Sequence, residues 1–481
     1  MDQEYEAFLV KNILAGAHFP LIGVNASDTG LYLGPAFIYL ATIPYFLFHG
    51  NPLGGGVFAA LLGIGTTFFL YKLGTLWFGK KIGLLASLFW AISFIAVLYD
   101  RQFWNPTPIP FLTILTCYYL TKIIQGKGKY LIVLAISLGL ALQSHLQAII
   151  IFAVSLVYLY IYRRRFSKKY LMLFIFIFVL IQLPLIFFDM RHQLTNTKAF
   201  LNLIFSFSSR LSTNPMTSIF DRLTIFTSLL GRTFYIKSPV DLYLENGQCA
   251  SLLPYIGKTE IVVIGLVLLS IFIYFGQKIV IKYKNSQDYN LIFSITFATI
   301  LSLIFYHRPI FEYYFLFFLP ILVLIASWIF LSLWQKGWKI LILTLAILFI
   351  LSNSKSFFMA DMSFSFKYKL KAINFAKQYV DNGNFSLEAL GECGRFGGYR
   401  YLFEYFGKKP GSSYMDPYFA WIYGKPMKKN YPKSIVFSVI DERDKGASDR
   451  WTKQEQILSH RMITSAQFGK IRVLIVDNEN N

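Results

Sequence analysis

Three acidic residues stand at the beginning of this chain, in the run Asp2-Gln3-Glu4-Tyr5-Glu6, ahead of the first apolar stretch that could cross a membrane. Carboxylates beside a bilayer are costly unless they face water, pair with a partner or take part in chemistry. Because a carboxylate can accept the proton of an attacking hydroxyl or amine, this run is a candidate for general-base catalysis. A solvated acidic tail is the alternative interpretation.

Further polar residues interrupt the apolar sequence at four later places. They are Asp100, Arg101 and Asn105; Gln143, Ser144, His145 and Gln147; Asp189, Arg191 and His192; and His307, Arg308 and Glu312. Arginine and histidine can neutralise a departing phosphate, whose negative charge grows as its bond breaks. The first, second and fourth groups also have structural interpretations: an interfacial pair that ends a helix, a helix kink, and anchors for lipid headgroups.

The composition identifies the class of protein. Hydrophobic residues make up 55% of the chain and charged residues only 15%, whereas soluble domains carry about a quarter. Apolar runs of roughly 20 residues, the length that crosses a bilayer as a helix, recur along the sequence. The net charge of +21 would suit nucleic acid, but 49 phenylalanines in long apolar runs do not build a phosphate groove. We therefore predict a mainly α, polytopic transmembrane helical bundle that binds membrane lipids and no nucleic acid.

The apolar runs define ten candidate spans, at 53–78, 82–99, 107–125, 130–144, 146–162, 170–188, 260–280, 290–306, 311–333 and 338–352. Lysine and arginine concentrate in every second connection, for example in Lys80-Lys81 and Arg163-Arg164-Arg165. Positive loops stay on the cytoplasmic side of a membrane. The remaining connections and both ends of the chain are therefore predicted to lie outside.

Residues 31–49 are also apolar enough to span, but a span there would reverse the side of every later loop. Gly34, Pro35 and Pro44 interrupt a continuous helix in this stretch. We therefore interpret 31–49 as a juxtamembrane or re-entrant helix on the external face. An external N-terminus that no span precedes is hard to translocate, so we expect a first helix to be missing from the chain.

The boundaries of these patterns divide the chain into 1–52, 53–352 and 365–481. Within the second part, the long external loop 189–259 mixes apolar and polar residues as interfacial amphipathic helices do. Loops this long are usually functional, so we interpret this one as a lid or binding element, with a passive insertion as the alternative. The third part is predicted to be a small extracytoplasmic α/β domain, with helices at 367–381 and 451–460 and strands at 434–440 and 470–476.

Acids, arginines and histidines are thus predicted to converge on one face beside a lid-like loop, which favours an active site open to the outside. An apolar groove nearby would accept a polyisoprenoid tail. No Walker-type or dinucleotide motif appears, and an activated lipid donor needs none. The chemistry that fits is transfer of a sugar from a lipid phosphate.

The order of the motifs resembles that of a known superfamily. An external acidic segment is followed by Gly34-Pro35 with Ile38-Tyr39, by Phe78-Gly79-Lys80-Lys81-Ile82-Gly83-Leu84-Leu85-Ala86, and then by Arg101 and Asn105. Over about residues 1–350 this order resembles the GT-C superfamily of membrane glycosyltransferases. Within it, the likeness is greatest to glycosyltransferase family 39 and its relatives, which include protein O-mannosyltransferases and lipid A aminoarabinose transferases.

The resemblance implies roles for individual residues. Asp2 takes the position of the catalytic general base, and Glu4 that of a supporting acid or metal contact. Arg101 matches an arginine of the second external loop, but Asn105 replaces the acid that follows it. Asp100 lies close enough in sequence to substitute for that acid, so a two-acid site for a divalent metal stays open.

The other polar groups receive roles from the same resemblance. His145 matches a basic residue near the donor phosphate, and His307 with Arg308 matches a later turn that faces the donor. Glu312, in the same turn, is a supporting residue. Together with Arg101, these residues are the predicted contacts of the donor phosphate.

The function that the resemblance implies is that of an integral membrane glycosyltransferase, and because no eukaryotic retention signal ends the sequence, we expect it in the plasma membrane of a microbe. It would move a sugar from a polyprenyl-phosphate donor to a lipid, glycan or protein acceptor on the extracytoplasmic face. A transporter or flippase for lipid-linked sugars is one alternative, and a polymerase or ligase of surface polysaccharides is another.

Overall fold

The computed structural model of the protein describes residues 2–26, 29–205, 219–235, 262–270, 273, 287–305, 312–360, 362–391, 397–424, 430–439 and 448–478. Helices dominate the described chain up to residue 360, and a small domain with a mixed sheet follows. The described helices of the first part include α1 (Asp2–Leu14), α2 (Ala36–Leu47), α3 (Leu53–Phe78), α4 (Lys80–Ile92), α5 (Phe94–Tyr99), α6 (Ile109–Ile124), α7 (Leu131–Ser144), α8 (Ala148–Ile161), α9 (Lys168–Arg191), α10 (Thr195–Phe205), α11 (Ile219–Phe234), α12 (Gln287–Phe305), α13 (Leu319–Gln335) and α14 (Lys339–Met359).

Three of the described helices are long and apolar enough to cross a membrane: α3 with 26 residues, α9 with 24 and α14 with 21. At a rise of about 1.5 Å per residue, each of them covers the ~30 Å hydrocarbon core of a bilayer. Shorter apolar helices, among them α6, α7, α8 and α13, accompany them. The predicted polytopic helical bundle is confirmed.

Ser93 divides the predicted span 82–99 into α4 and α5. Its backbone is extended, and its hydroxyl accepts a hydrogen bond from the Ala96 N–H at 3.5 Å. The Phe94 N–H donates to the side chain of Asn353 on α14 at 2.8 Å. Because the N–H groups freed at the break find these partners, the interruption is tolerated inside a membrane bundle.

Two other predicted segments can be compared with the structure. The stretch 31–49 contains the 12-residue helix α2. At about 18 Å this helix is too short to cross a bilayer, as the juxtamembrane interpretation requires. The predicted span 311–333 is wrong at its start, because Glu312–Phe315 forms a 3₁₀ turn and α13 begins at Leu319. Pro320, in the first turn of α13, suits a helix start because its missing N–H is not needed there.

Glycines allow α3 and α4 to approach each other closely. A Cβ atom added to Gly74 would lie 2.7 Å from the Cα of Gly83, and one added to Gly83 would lie 2.5 Å from Thr75 Oγ1. Small residues at membrane-helix crossings let backbones pack where lipid provides no hydrophobic driving force between helices. This crossing helps to hold together the buried core of the helical part, which contains Leu70 and Trp90.

The C-terminal domain contains a five-stranded sheet flanked by helices. Its elements are α15 (Phe366–Ala376), β1 (Phe385–Ala389), α16 (Tyr399–Tyr405), β2 (Ser412–Ser413), α17 (Asp416–Tyr423), β3 (Lys433–Val439), α18 (Ser448–Ser459), β4 (Met462–Phe468) and β5 (Ile471–Asp477). The strand order is β2-β1-β3-β5-β4; β1 is parallel to β2 and β3, and β5 is antiparallel to β3 and β4. The predicted α/β domain is confirmed, with its helices as α15 and α18 and its strands as β3 and β5.

Segments that were predicted to share one side of the membrane contact each other. Tyr32, in the N-terminal part, and Asn196, after α9, exchange two hydrogen bonds of 2.6 and 3.0 Å. The N–H of Ala36 donates to Gln143, near the end of α7, at 3.0 Å. The N-terminal segment, the break after α7 and the start of α10 therefore lie at one end of the bundle.

The basic connections meet at the opposite end of α7. Gly128, between Lys127 and Lys129, lies so close to Phe166 that a Cβ atom added to Gly128 would stand 2.7 Å from the Cβ atom of Phe166. Phe166 follows the 3₁₀ turn Arg163–Arg165. The bundle thus has one end at which acidic and polar segments gather and one end at which these lysines and arginines gather.

Candidate active site

An aromatic cluster lies where the loop after α5 meets the turn before α13. The indole ring of Trp104 is parallel to the ring of Tyr99, with centroids 6.4 Å apart, and tilts against Tyr313 at 4.8 Å. Tyr313 in turn contacts Tyr314 edge to face at 4.8 Å. These contacts join the second predicted external loop to the later turn, two segments that sequence analysis assigned to the same site.

A buried carboxylate stands beside these rings. Glu312 Oε1 accepts a hydrogen bond from the hydroxyl of Tyr99 at 2.9 Å, and Glu312 Oε2 pairs with the guanidinium of Arg232. Arg232 reaches this position because the apolar face of the amphipathic helix α11, with Phe226 and Leu229, packs into the core. Both side chains are almost completely buried, so each charge is stabilised by the other in place of the water that it has lost.

His145 faces the same aromatic cluster. It follows α7 in an extended conformation, and its ring lies 5.8 Å from Tyr313 and 5.6 Å from Tyr314. The N–H of Gln147 donates to Nδ1 at 3.4 Å, which leaves the ring proton on Nε2. Burial lowers the pKa of His145 to about 4. At neutral pH the ring is therefore an uncharged hydrogen-bond donor.

The residues around the break after α7 hold the backbone in place. The Asn105 amide donates to the carbonyl of Ser144 at 2.8 Å, which satisfies one of the unpaired groups at the end of the helix. Gln143 accepts from Ala36 and donates to the carbonyl of Ile181. Gln143 therefore stabilises the helix kink, as in the structural interpretation of this polar group, whereas the ring of His145 faces the aromatic cluster.

Asp100 and Arg101 have different surroundings. The carboxylate of Asp100 accepts a hydrogen bond from the Trp90 indole at 3.1 Å and packs against Gly63, where an added Cβ atom would lie 2.5 Å from it. Burial raises the pKa of Asp100 to about 7, against the smaller opposing effect of the Trp90 hydrogen bond. The side chain of Arg101 is exposed.

The acids of the N-terminal run lie on α1. Asp2 begins this helix, with its side chain outside the described part of the chain. Glu4 is buried against the C-terminal domain, where Oε1 accepts from the Tyr401 N–H at 2.9 Å and Oε2 from the Tyr414 hydroxyl at 3.4 Å. Glu6 is fully buried. A solvated tail is therefore excluded for Glu4 and Glu6.

Two predicted phosphate contacts, His307 and Arg308, lie outside the described residues. Tyr99 and Arg232, the two partners of Glu312, were not among the predicted site residues. The amphipathic pattern of 219–235 was the only signal for Arg232, since its partner Glu312 lies 80 positions further along the chain.

The described residues contain no group of three or more histidine, cysteine or acidic side chains that could hold a metal ion. The expected metal contact Glu4 has both oxygens engaged by Tyr401 and Tyr414. Among the described residues, Glu4 is thus occupied by protein partners at both oxygens and forms no metal site with its neighbours.

Comparisons with known proteins address the fold. Residues 33–188 match the family model described as dolichyl-phosphate-mannose-protein mannosyltransferase. The crystal structure of ArnT from Cupriavidus metallidurans bound to undecaprenyl phosphate is similar over 100% of this chain and 94% of that chain, with a TM-score of 0.60 and 12% identity. Its apo state is similar over 99% and 93%, with a TM-score of 0.56 and 12% identity. The chain has the GT-C fold.

The apo oligosaccharyltransferase of Archaeoglobus fulgidus is also similar, over 92% of this chain and 66% of that one, with a TM-score of 0.50 and 12% identity. No curated protein matches the chain. With the GT-C fold, the chain is a multi-pass membrane protein. The matched range 33–188 contains Tyr99, Asn105 and His145, whereas Asp2, Arg232 and Glu312 lie outside it.

Proposed function

We propose that this chain is a membrane glycosyltransferase that moves a sugar from a polyprenyl-phosphate donor to an acceptor on the extracytoplasmic face. The observation that carries the proposal is the meeting of Tyr99, His145, Arg232 and Glu312, which come from four separate segments, at one end of a GT-C bundle. The family model matched by residues 33–188 and the ArnT structure bound to undecaprenyl phosphate support a lipid-linked donor.

In the proposed reaction, the acceptor oxygen or nitrogen attacks the anomeric carbon of the sugar. The bond between that carbon and the phosphate oxygen breaks, and its electron pair leaves with the polyprenyl phosphate. Asp2 takes the proton of the acceptor as general base. This assignment rests on the resemblance of the N-terminal run to the acidic loop of family 39.

The leaving phosphate needs hydrogen-bond donors and positive charge. Arg101, His307 and Arg308 are proposed to supply charge, and the neutral ring of His145 to donate its Nε2–H. Glu312 has a different part in the proposal. It orients Arg232 and Tyr99, so that their positions do not change during the reaction.

Sidedness belongs to the same proposal. The acidic end of the bundle carries the cluster and the C-terminal domain, while Lys127, Lys129 and Arg163–Arg165 lie at the other end. Because positive connections are retained in the cytoplasm, the candidate site would open to the extracytoplasmic side. The donor lipid could then enter from the membrane between apolar helices.

The test is release of polyprenyl phosphate from a synthetic, sugar-loaded donor by the purified chain. We expect Asp2→Asn to slow turnover by about 10²–10⁴-fold, the usual contribution of a general base. Asp381→Asn, the same change at an exposed acid of the C-terminal domain, is the matched control and should turn over like the parent. Equal rates for Asp2→Asn and the parent would refute the assignment of the base.

The phosphate contacts require a second comparison. Arg101→Ala should raise the KM for the donor about tenfold, the cost of one lost charge-assisted hydrogen bond. Lys336→Ala removes an exposed charge between α13 and α14 and should leave that KM unchanged. If both variants behave alike, Arg101 does not bind the donor.

A further inference from the structure

The N-terminal acidic helix and the C-terminal domain are joined by an unusually placed carboxylate. Glu4 is only 3% exposed, and the groups that meet its two oxygens, the Tyr401 N–H and the Tyr414 hydroxyl, belong to the C-terminal domain about 400 residues away. Both oxygens of Glu4 are therefore hydrogen-bonded within the protein, whereas a catalytic acid must reach a substrate proton directly or through a water molecule.

Other polar contacts surround Glu4 along the same helix. Lys11 Nζ forms an ion pair with Glu404 at 2.6 Å, and the Asn12 amide donates to the carbonyl of Ile422 at 2.8 Å. Both pairs connect α1 with helices of the C-terminal domain. One helical face, from Glu4 to Asn12, thus binds the domain at successive turns.

Aromatic packing completes this interface. The ring of Phe8 lies 5.3 Å from Tyr401 and 5.0 Å from Tyr423, and Tyr5 lies 4.9 Å from Phe419. These residues belong to one buried cluster that also contains residues of α2 and of the loop after α5. The C-terminal domain is therefore packed against the segments that lead to the candidate active site.

Asp2 and Glu4 stand two positions apart on α1. Residues at this spacing do not share a helix face. When the face with Glu4 is held by the domain, the orientation of the helix, and with it the position of residue 2, is determined. The two acids of the run can therefore have different tasks.

We propose that Glu4 is a positioning residue, which fastens α1 to the C-terminal domain through Tyr401 and Tyr414 and thereby places Asp2 for catalysis. The proposal rests on the function proposed above for Asp2. It also assigns a task to the C-terminal domain, which becomes part of the active-site architecture and holds the helix of the general base.

The protonation state of Glu4 is compatible with this task. Burial raises its pKa, against smaller opposing effects of the Tyr401 hydrogen bond and the charge of Arg400. Lys369, whose pKa burial lowers to about 8, and Tyr414 are further titratable groups that face it. A raised pKa favours the neutral carboxyl group, which a glutamine reproduces in shape and hydrogen bonding.

The test compares Glu4→Gln with Glu4→Ala in the full-length protein. Glutamine keeps an oxygen for the Tyr401 N–H, and its amide N–H can donate to the Tyr414 oxygen in place of the bond that the Tyr414 hydroxyl donates to Glu4, so we expect a kcat within about threefold of the parent. Alanine removes both contacts, and we expect kcat to fall at least tenfold while the KM for the donor stays within about twofold, because orientation contributes to the chemical step. The control is Asp381→Ala, an acid-to-alanine change at an exposed site of the same domain.

Docking of the helix is read separately, by carbodiimide cross-linking. This reagent joins a lysine and a carboxylate that already touch, as Lys11 and Glu404 do. We expect the cross-linked peptide at parental yield in Glu4→Gln and Asp2→Asn, and at clearly lower yield in Glu4→Ala. If Glu4→Ala does not fold, Tyr414→Phe takes its place in the test. This variant removes one hydroxyl from the other side of the contact, and we expect a partial decrease in both the cross-linking yield and kcat.

The outcomes separate the two proposals. Loss of activity in Glu4→Gln with a parental cross-link would make Glu4 a catalytic acid and overturn the positioning role. Parental kcat in Glu4→Ala would overturn it as well. A parent that releases no polyprenyl phosphate, or an Asp2→Asn variant as fast as the parent, would instead refute the proposed function, whatever the cross-link shows.

Discussion

The hydroxyl of Tyr99 donates a hydrogen bond to Glu312 at 2.9 Å, although 213 positions separate the two residues. The second oxygen of Glu312 pairs with Arg232. One carboxylate therefore joins the end of α5, helix α11 and the turn before α13. The candidate site depends on this junction, because Trp104 stacks on Tyr99 and His145 packs against Tyr313, the residue after Glu312.

The buried pair of Glu312 and Arg232 should dominate the local stability. Glu312→Gln removes the carboxylate charge that pairs with Arg232, and we expect the free energy of unfolding to fall by about 3–5 kcal/mol. Unfolding of the detergent-solubilised protein measures this loss. Combining Glu312→Gln with Arg232→Met should recover much of it, and a combined loss equal to the sum of the single losses would show that the two charges do not interact.

His145 should make stability depend on pH. Its pKa is lowered from 6.5 to about 4, so the unfolded chain takes up a proton first as the pH falls. The folded state therefore loses stability below about pH 6.5, and His145→Gln abolishes this loss. We therefore expect the free energy of unfolding of His145→Gln, relative to that of the parent, to be higher at pH 5 than at pH 7.5.

A matched substitution distinguishes this effect from general acid sensitivity. His460→Gln changes an exposed histidine of the C-terminal domain and should follow the parent at both pH values. A difference between His145→Gln and the parent that is the same at pH 5 and pH 7.5 would contradict burial of a neutral His145.

The crossing of α3 and α4 predicts a strong effect of a single methyl group. In Gly74→Ala the new Cβ atom would stand 2.7 Å from the backbone of Gly83, which cannot move aside as a side chain can. We expect a loss of about 1–3 kcal/mol in the free energy of unfolding, the usual cost of overpacking. Gly56→Ala, on the same helix with nothing within 4 Å, should be neutral or slightly stabilising. Equal effects of both substitutions would mean that the crossing of α3 and α4 has room for an added methyl group.

Labelling of engineered thiols in intact cells tests the proposed sidedness. In a background with Cys117→Ala, Cys249→Ser and Cys393→Ser, an impermeant maleimide should label Ala17→Cys, at the acidic end of the bundle. It should leave Lys336→Cys unlabelled until the membrane is opened. Both positions are exposed, so accessibility within the fold does not distinguish them. Labelling of Lys336→Cys from outside would place the basic connections on the wrong side.

The helical class and the short C-terminal domain could be predicted because they depend on local patterns. Apolar runs must satisfy their backbone groups within a bilayer, and a helix is the local way to do so. The break at Ser93 and the start of α13 at Leu319 were not predicted. Such a break is stable only because distant residues, such as Asn353, bind the backbone groups that it leaves unpaired. The strand β1 was missed for a similar reason, because its neighbours β2 and β3 lie later in the chain.

The amino-acid sequence by itself determined that this is a membrane protein with a resemblance to family 39, and that Asp100, Asn105, His145 and Glu312 deserved inspection. Tertiary structure alone decided what each of them touches. In the folded chain, Asp100 is hydrogen-bonded to Trp90 inside the bundle, Glu312 lies between Tyr99 and Arg232, and Glu4 binds the C-terminal domain. Spacing in sequence carries local periodicity, whereas contacts between residues hundreds of positions apart exist only after packing has brought their helices together.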